Sequence, residues 1–290
     1  MDKIQIKITK EQSGKEIKSI LFDDLKLSSR LVTELKKDFG IMLNGEKATV
    51  RKKVLEGDEL ILTLPLKKSE NIVPNDIPLD IIFEDDDILV INKPSGMPTH
   101  PSHGHFENTL ANGVMHYFKN SDFTFRAITR LDRDTTGLVL IAKNQISANI
   151  LCNELKEKQI EKTYLAICMG ELPDNSGTII APIARVCESV IKREVSKKGQ
   201  YAETEYSVSA YENGYSLVTL KPKTGRTHQI RVHLSHIGNP IYADFIYGTE
   251  LSGERTRLHC HKLKFKHPKT GENIELIAPL PNDFFITPYK

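Results

Sequence analysis

The chain has 290 residues, 39% apolar and 27% charged, a composition that folds rather than staying disordered. That length holds one large domain with a small companion, or two ordinary domains. No apolar run reaches the roughly 18 residues of a membrane helix, so no membrane partner is expected, and the net charge of +2 singles out no partner by itself.

The opening stretch, MDKIQIKITKEQ, has no apolar signal core, so a cytoplasmic location is expected. IQIKIT alternates like a strand. LSSRLVTELKKDFG then predicts a helix capped by Ser28 or Ser29, with Leu31, Leu35 and Phe39 on one face and Gly40 at its end. IMLNGEKA carries Asn44-Gly45, a strong hairpin signal. VLEGDELILTL adds a turn at Gly57-Asp58 and another strand. Residues 1–66 thus read as a small separate unit. Residues 67–78, KKSENIVPNDIP, are polar and proline-containing and read as a linker.

Residues 79–290 read as the larger domain. IIFEDDDILVINKP predicts two short strands around an acidic turn, and Leu138–Ala142 a strand with no polar face, buried on both sides. SANILCNELKEKQ places Ile146, Ile150, Leu151 and Leu155 at helical spacing behind a cap at Asn144. KTYLAICMGEL, TEYSVSAYENGYSLVTLKPKTG and KLKFKHPKTGENIELIAPL are strand and hairpin material. Strands dominate without regular βαβ alternation. The fold class is therefore α+β, a mixed or antiparallel central sheet with flanking helices.

Four segments could carry chemistry. In RLDRDTTGLVLIAK, Asp132 sits between Arg130 and Arg133 at the mouth of the buried strand. Loss of water there disfavours a charged carboxylate, and an arginine alongside favours it. Such a group on a rigid support can act as nucleophile, base or metal ligand; the plainer alternative is a salt bridge at a turn. In LKPKTGRTHQIRVHLSHIGNPIYAD, Arg226, His228, Arg231 and His233 fall within eight residues. A helix starting at Thr227 would set His228 and Arg231 one turn apart on one face. In EKTYLAICMG, Tyr164 sits in a strand pattern. INKPSGMPTHPSHG ends a strand at Lys93 and makes two proline turns that could wall a cleft.

His228, His233, His259 and His261 lack an acidic or cysteine partner at ligand spacing, so no metal is expected. Cys152, Cys168, Cys187 and Cys260 show neither disulfide nor zinc spacing and are expected to be small buried hydrophobes. Charge is clustered: from Ser216 to Thr270, ten lysines and arginines stand against three acids, with six of the ten histidines. That is either a solvated basic face or the footprint of a phosphate-rich partner.

Taken in order, these segments resemble the RluA-type RNA pseudouridine synthases. RLDRDTTGLVLIAK is similar to that family's RLD-x-x-[ST]-[ST]-G motif, and INKPSGMPTHPSHG, EKTYLAICMG, the HQIRVH segment and RLHCHKLKF follow in the family's order over about residues 79 to 285. Thr129 stands where a histidine is frequent and Thr136 where a serine is frequent. The N-terminal unit resembles a small RNA-binding domain shared with a small-subunit ribosomal protein.

The resemblance implies the pseudouridine synthase fold, isomerisation of uridine in RNA, and no cofactor. It implies Asp132 as catalytic aspartate, Arg231 as its partner and Tyr164 against the target base. Arg130 would fill the hole left by a flipped nucleotide, and Leu258 would line the uracil pocket. Arg226, His228 and Lys93 are expected to contact the RNA. Ribosomal RNA is the favoured partner, transfer RNA the second, and a monomer is expected. The rival reading is a catalytically inactive RNA-binding or ribosome-assembly protein. A hydrolase using Asp132 lacks a nucleophile elbow or a paired carboxylate motif.

Overall fold

Among the described residues two main sheets form, each packed on its own apolar core. The structure, a computed structural model, describes residues 2–37, 40–64, 72–102, 106–186 and 191–286. In the first unit, β1 (Asp2–Lys7), β2 (Ile41–Leu43), β3 (Glu46–Lys47) and β4 (Glu59–Leu64) make an antiparallel four-stranded sheet in the order β1-β4-β2-β3. Asn44 and Gly45 both adopt positive φ, 51° and 83°, as the two-residue turn between β2 and β3 requires. The predicted helix is α1 (Ser29–Leu35), and Ser28 caps it by accepting from the Leu31 N–H. It ends earlier than its pattern suggested, and Phe39 lies outside the described residues. Gly40 does not cap it; a Cβ there would meet the Leu35 and Thr63 carbonyl oxygens at 2.5 and 2.8 Å, so glycine lets strand and helix end approach.

The second unit is a nine-stranded sheet. Its strands are β5 (Ile81–Glu84), β6 (Ile88–Lys93), β7 (Thr136–Ala142), β8 (Glu161–Met169), β9 (Ser176–Ile180), β12 (Glu203–Glu212), β13 (Tyr215–Pro222), β14 (Leu258–Lys266) and β15 (Asn273–Ile277). Their order is β5-β6-β7-β14-β8-β13-β12-β9, with β15 on β14. A separate hairpin, β10 (Ile183–Arg185) and β11 (Arg193–Val195), stands off the sheet. All of β7 is buried. Helices α2 (Leu110–Tyr117), α3 (Gln145–Lys156) and α4 (Gln229–His236) flank the sheet. The acidic turn is tied down locally: Asp85 accepts from the Asp87 and Ile88 N–H groups and from His267 Nε2 at 2.9 Å.

Helix α3 joins the two units. Asn144 caps it, accepting from the Ser147 N–H. Its apolar residues serve two cores: Leu151 and Leu155 pack into the large one, Ile146 and Ile150 into the small one. Asn149 and Asn153 both donate to the Lys26 carbonyl, at 2.8 and 2.6 Å, and the Ser28 N–H donates back to Asn149 Oδ1. The N-terminal unit is therefore docked rather than free. Ile146 is fully buried, and burial of such a side chain contributes about 1.5–3 kcal/mol. Of the cysteines, Cys168 and Cys260 are buried as expected, Cys152 is exposed because it faces away from both cores, and Cys187 lies outside the described residues.

Among the described residues one strand pair is parallel, β7 on β14, through Thr136–His259 and Gly137–Cys260. Gly137 has φ of 109°, and a Cβ there would lie 2.2 Å from the Cys260 carbonyl oxygen. Gly214, in the β12–β13 turn, also has positive φ, 83°, but nothing within 4 Å. Both Gly→Ala changes should destabilise, and Gly137→Ala should cost clearly more, beyond the roughly 1–3 kcal/mol of backbone strain alone. Equal losses in chemical denaturation would refute the close-approach role of Gly137.

Candidate active site

The β7–β14 crossing sets the loop before β7, and that loop carries Asp132. A second loop holds it from below. Lys93 is fully buried, and its three ammonium protons go to the carbonyls of Pro94, Met97 and Arg133 at 2.7, 2.8 and 3.0 Å. Burial pulls its pKa down to about 7. Ser95 donates to the Asp134 carbonyl, while the Thr99 hydroxyl donates to the Leu131 carbonyl and accepts from the Leu131 N–H. The INKPSGMPTH segment is thus a cradle for residues 131–134. Lys93 is not available to RNA, contrary to the sequence expectation: every proton it has is spent on carbonyls inside the cradle.

The Asp132 side chain is 21% exposed, and two groups approach its Oδ2: Arg231 Nη1 at 3.8 Å and His228 Nε2 at 3.8 Å. The flanking Arg133 pairs instead with Asp134, at 3.0 and 3.2 Å. Arg130 is exposed.

Arg231 makes its closest contacts elsewhere. Its Nε and Nη2 donate to the two carboxylate oxygens of Asp244, both at 2.7 Å. Asp244 is fully buried and also accepts the Ile246 and Tyr247 N–H groups on Oδ1. Burial opposes the charge on Arg231, but the Asp244 hydrogen bonds and charge outweigh it, so the pKa of the guanidinium is raised. The Arg231–Asp132 contact anticipated from sequence is present as the outer arm of a tighter pair. Asp244 ends the stretch LKPKTGRTHQIRVHLSHIGNPIYAD, and nothing in its local pattern marks it as a partner of Arg231.

The helix that carries Arg231 begins at Gln229, two residues later than the start at Thr227 that the pattern suggested. His228 is its cap and adopts the left-handed conformation, φ 57° and ψ 18°. Gln229 pins the preceding turn: it accepts from the Thr224 hydroxyl and the Arg226 N–H, and donates to the Glu203 carbonyl and the Thr204 hydroxyl. His233 is committed to the Thr204 hydroxyl and the Ala181 carbonyl, and His259 to the Thr136 hydroxyl. These histidines hold strands and do not gather.

A cleft of about 750 Å³ opens over this arrangement. Of the residues singled out from sequence, Arg130, Asp132, Tyr164, Arg226, His228, Arg231 and Leu258 all line it; Lys93 does not. Tyr164 pairs with Cys260 across β8 and β14, and burial drives its phenol pKa well above the ordinary value, so it stays protonated. Leu258, Ile128 and Ile230 supply an apolar floor; Lys156, Lys158, Lys162, Lys221, Lys223 and Arg226 supply positive charge. An aimed carboxylate, an apolar slot with a tyrosine, and a basic rim fit a flat, uncharged ring carried on a phosphate chain.

Comparison with known proteins agrees. The family model described as RNA pseudouridylate synthase matches residues 87–236, and one described as the RluD ribosomal pseudouridine synthase N-terminal domain matches residues 4–60. The chain is 39% identical over 265 residues to an uncharacterized RNA pseudouridine synthase, YjbO, of Bacillus subtilis (strain 168), covering 90% of this chain and 94% of that protein. The chain belongs to the RNA pseudouridine synthase family. This pseudouridine synthase is also 37% identical to the ribosomal large subunit pseudouridine synthase D of Vibrio parahaemolyticus, over 85% of this chain and 81% of that one. Among solved structures, human RNA pseudouridylate synthase domain containing 1 superposes with a TM-score of 0.59 at 29% identity, covering 71% of this chain and 84% of that one. The synthase is an isomerase of uridine in RNA.

The Arg231–Asp244 pair gives a test. Asp244→Leu alone leaves a buried guanidinium without its partner and should cost about 3–5 kcal/mol. Adding Arg231→Met should restore most of that stability while turnover stays low, because Asp132 has lost its cation. Denaturation midpoints and isomerisation rates of the two variants decide it; wild-type stability for Asp244→Leu would show that the pair is not the anchor.

Proposed function

We propose that Asp132 is the catalytic carboxylate and that the substrate is ribosomal RNA. The observation that carries this reading is the convergence of Arg231 and His228 on one oxygen of Asp132 at the floor of a basic cleft. Isomerisation breaks the bond between ring N1 and C1′, joins C5 to C1′, adds a proton at N1 and releases one from C5. Whether the carboxylate attacks the sugar, attacks the ring or removes a sugar proton, it must be ionised and aimed. Arg231 serves both needs.

The target base must leave its stack, at a cost of about a few kcal/mol. Arg130, exposed at the rim, would offset this by stacking where the base had been. The detached uracil must turn without escaping; Tyr164 and Leu258, which line the cleft, would hold its faces, and the apolar floor would offer it nothing to anchor to while it rotates. Lys221, Lys223 and Arg226 would follow the phosphates. Ribosomal RNA is supported by the names of the relatives and by the small N-terminal unit, whose family model is that of a ribosomal enzyme.

Release of tritium from RNA labelled at uridine C5 tests the reading. Wild-type protein should release it from ribosomal RNA, and Asp132→Asn should be slower by at least roughly a hundredfold at unchanged RNA affinity. Turnover near wild type in Asp132→Asn would overturn the assignment; release from transfer RNA alone would overturn the substrate.

The small unit exposes Lys36, Lys47 and Arg51 beside one groove. If it grips RNA, changing these to glutamine should weaken binding and flatten the dependence of log affinity on log salt by about 0.7 for each lost phosphate contact. Turnover on saturating RNA should stay constant. Affinity unmoved at every salt concentration would remove the unit from the binding surface. Deletion is a poorer test, since it strips the cover from Ile146.

A further inference from the structure

His228 has a second connection besides Asp132. Its Nδ1 lies 2.8 Å from the Tyr247 hydroxyl. That hydroxyl already accepts the backbone N–H of Arg193 at 2.9 Å. Among the described residues His228 Nδ1 is the one acceptor that the hydroxyl's own proton meets, and that proton assigns Nδ1 the accepting role. In a neutral imidazole only one nitrogen carries hydrogen, so the proton sits on Nε2, the atom that faces Asp132 Oδ2 at 3.8 Å. Burial favours the neutral ring: it lowers the pKa of His228, against the opposing pull of Asp132. The charged and titratable groups around the ring are Asp132 before β7, Arg231 on α4, Asp244 and Tyr247 in the following loop, and Arg193 on β11.

The backbone points the same way. A left-handed conformation in a residue other than glycine or asparagine costs of order 1 kcal/mol and persists where the surroundings impose it. Here the four hydrogen bonds of Gln229 and the Tyr247 hydroxyl impose it. The result turns the imidazole toward Asp132 rather than along the outside of α4. Its side chain is only 10% exposed, which suits an internal contact better than a grip on phosphate.

We propose that His228 is a positioning residue for Asp132: a neutral imidazole whose Nε2–H, fixed by the Tyr247 hydroxyl, steadies the carboxylate while Arg231 supplies the charge. Two donors of different kind then meet one oxygen, and the carboxylate is held against rotation without a second full cation to lower its basicity. Contacts of this length in free enzymes tighten when substrate binds. The proposal rests on Asp132 being the catalytic carboxylate.

Three variants and one spectrum test it in the full chain. Nitrogen-15 NMR of histidine-labelled protein at neutral pH should show His228 protonated on Nε2, and Tyr247→Phe should shift that pattern toward Nδ1–H. His228→Asn tolerates the left-handed backbone, but its amide ends near the Nδ1 position and does not reach Asp132. It should fold, keep its KM for RNA within about twofold, and lose kcat by roughly ten- to a hundredfold, as expected for one hydrogen bond to a charged group. His228→Gln, whose amide reaches the Nε2 position, should recover part of the rate. A wild-type kcat in His228→Asn, a raised KM alone, or a proton on Nδ1 would each overturn the proposal. Asp132→Asn run beside it separates the two failures. If that variant is inactive and His228→Asn is normal, only the histidine role falls; if Asp132→Asn stays active, the reading beneath it falls.

Discussion

One buried carboxylate, Asp244, organises the floor of the cleft. It receives four N–H donors, two from Arg231 and one each from Ile246 and Tyr247. Removing both charges from water is expensive, and that cost is offset by two charge-assisted bonds from Arg231 and two backbone N–H bonds to Asp244. The consequence is geometric. With Nε and Nη2 committed to Asp244, Arg231 can offer only Nη1 to Asp132. The guanidinium is held by a partner other than Asp132, so its orientation does not depend on the protonation or movement of Asp132.

From the same carboxylate the constraint spreads outward. The N–H bonds to Asp244 place the 244–247 loop. Tyr247 then reaches His228 on one side and the β11 backbone on the other, and the Arg231 guanidinium lies over its ring at 5.2 Å from the centroid. On the opposite side of Asp132, the Lys93 ammonium gathers three carbonyls, and Gly137 lets β7 and β14 cross in parallel with no side chain between them. Asp132 is thus clamped from two directions by contacts within the fold. That is the pattern expected when an active carboxylate must be aimed to within fractions of an ångström.

Helix α3 links this site to the small unit. Its inner face carries Leu151 and Leu155 in the large core, and Leu155 and Lys156 at its end line the cleft. Its outer face gives Ile146 and Ile150 to the small core. One helix therefore carries the rim of the cleft and the seat of the N-terminal sheet, and the two units present their basic groups from a single packed frame.

Local pattern determined much of this protein. Strand alternation, the Asn44-Gly45 turn, the caps at Ser28 and Asn144, and the buried run of β7 were all legible, because each depends on residues a few positions apart. The ordered segments around Asp132, Tyr164, Arg231 and Leu258 also marked which residues meet in the cleft. Tertiary structure decided the partnerships. Asp244 as the closer partner of Arg231, Lys93 as the keystone of a loop 40 residues away, His228 outside the helix, and α3 facing two cores have no signature in nearby sequence. Each is a contact between groups whose spacing along the chain carries no period. A side chain's propensity reports its own backbone, whereas the choice among several acids for one arginine is made by which of them the fold buries beside it.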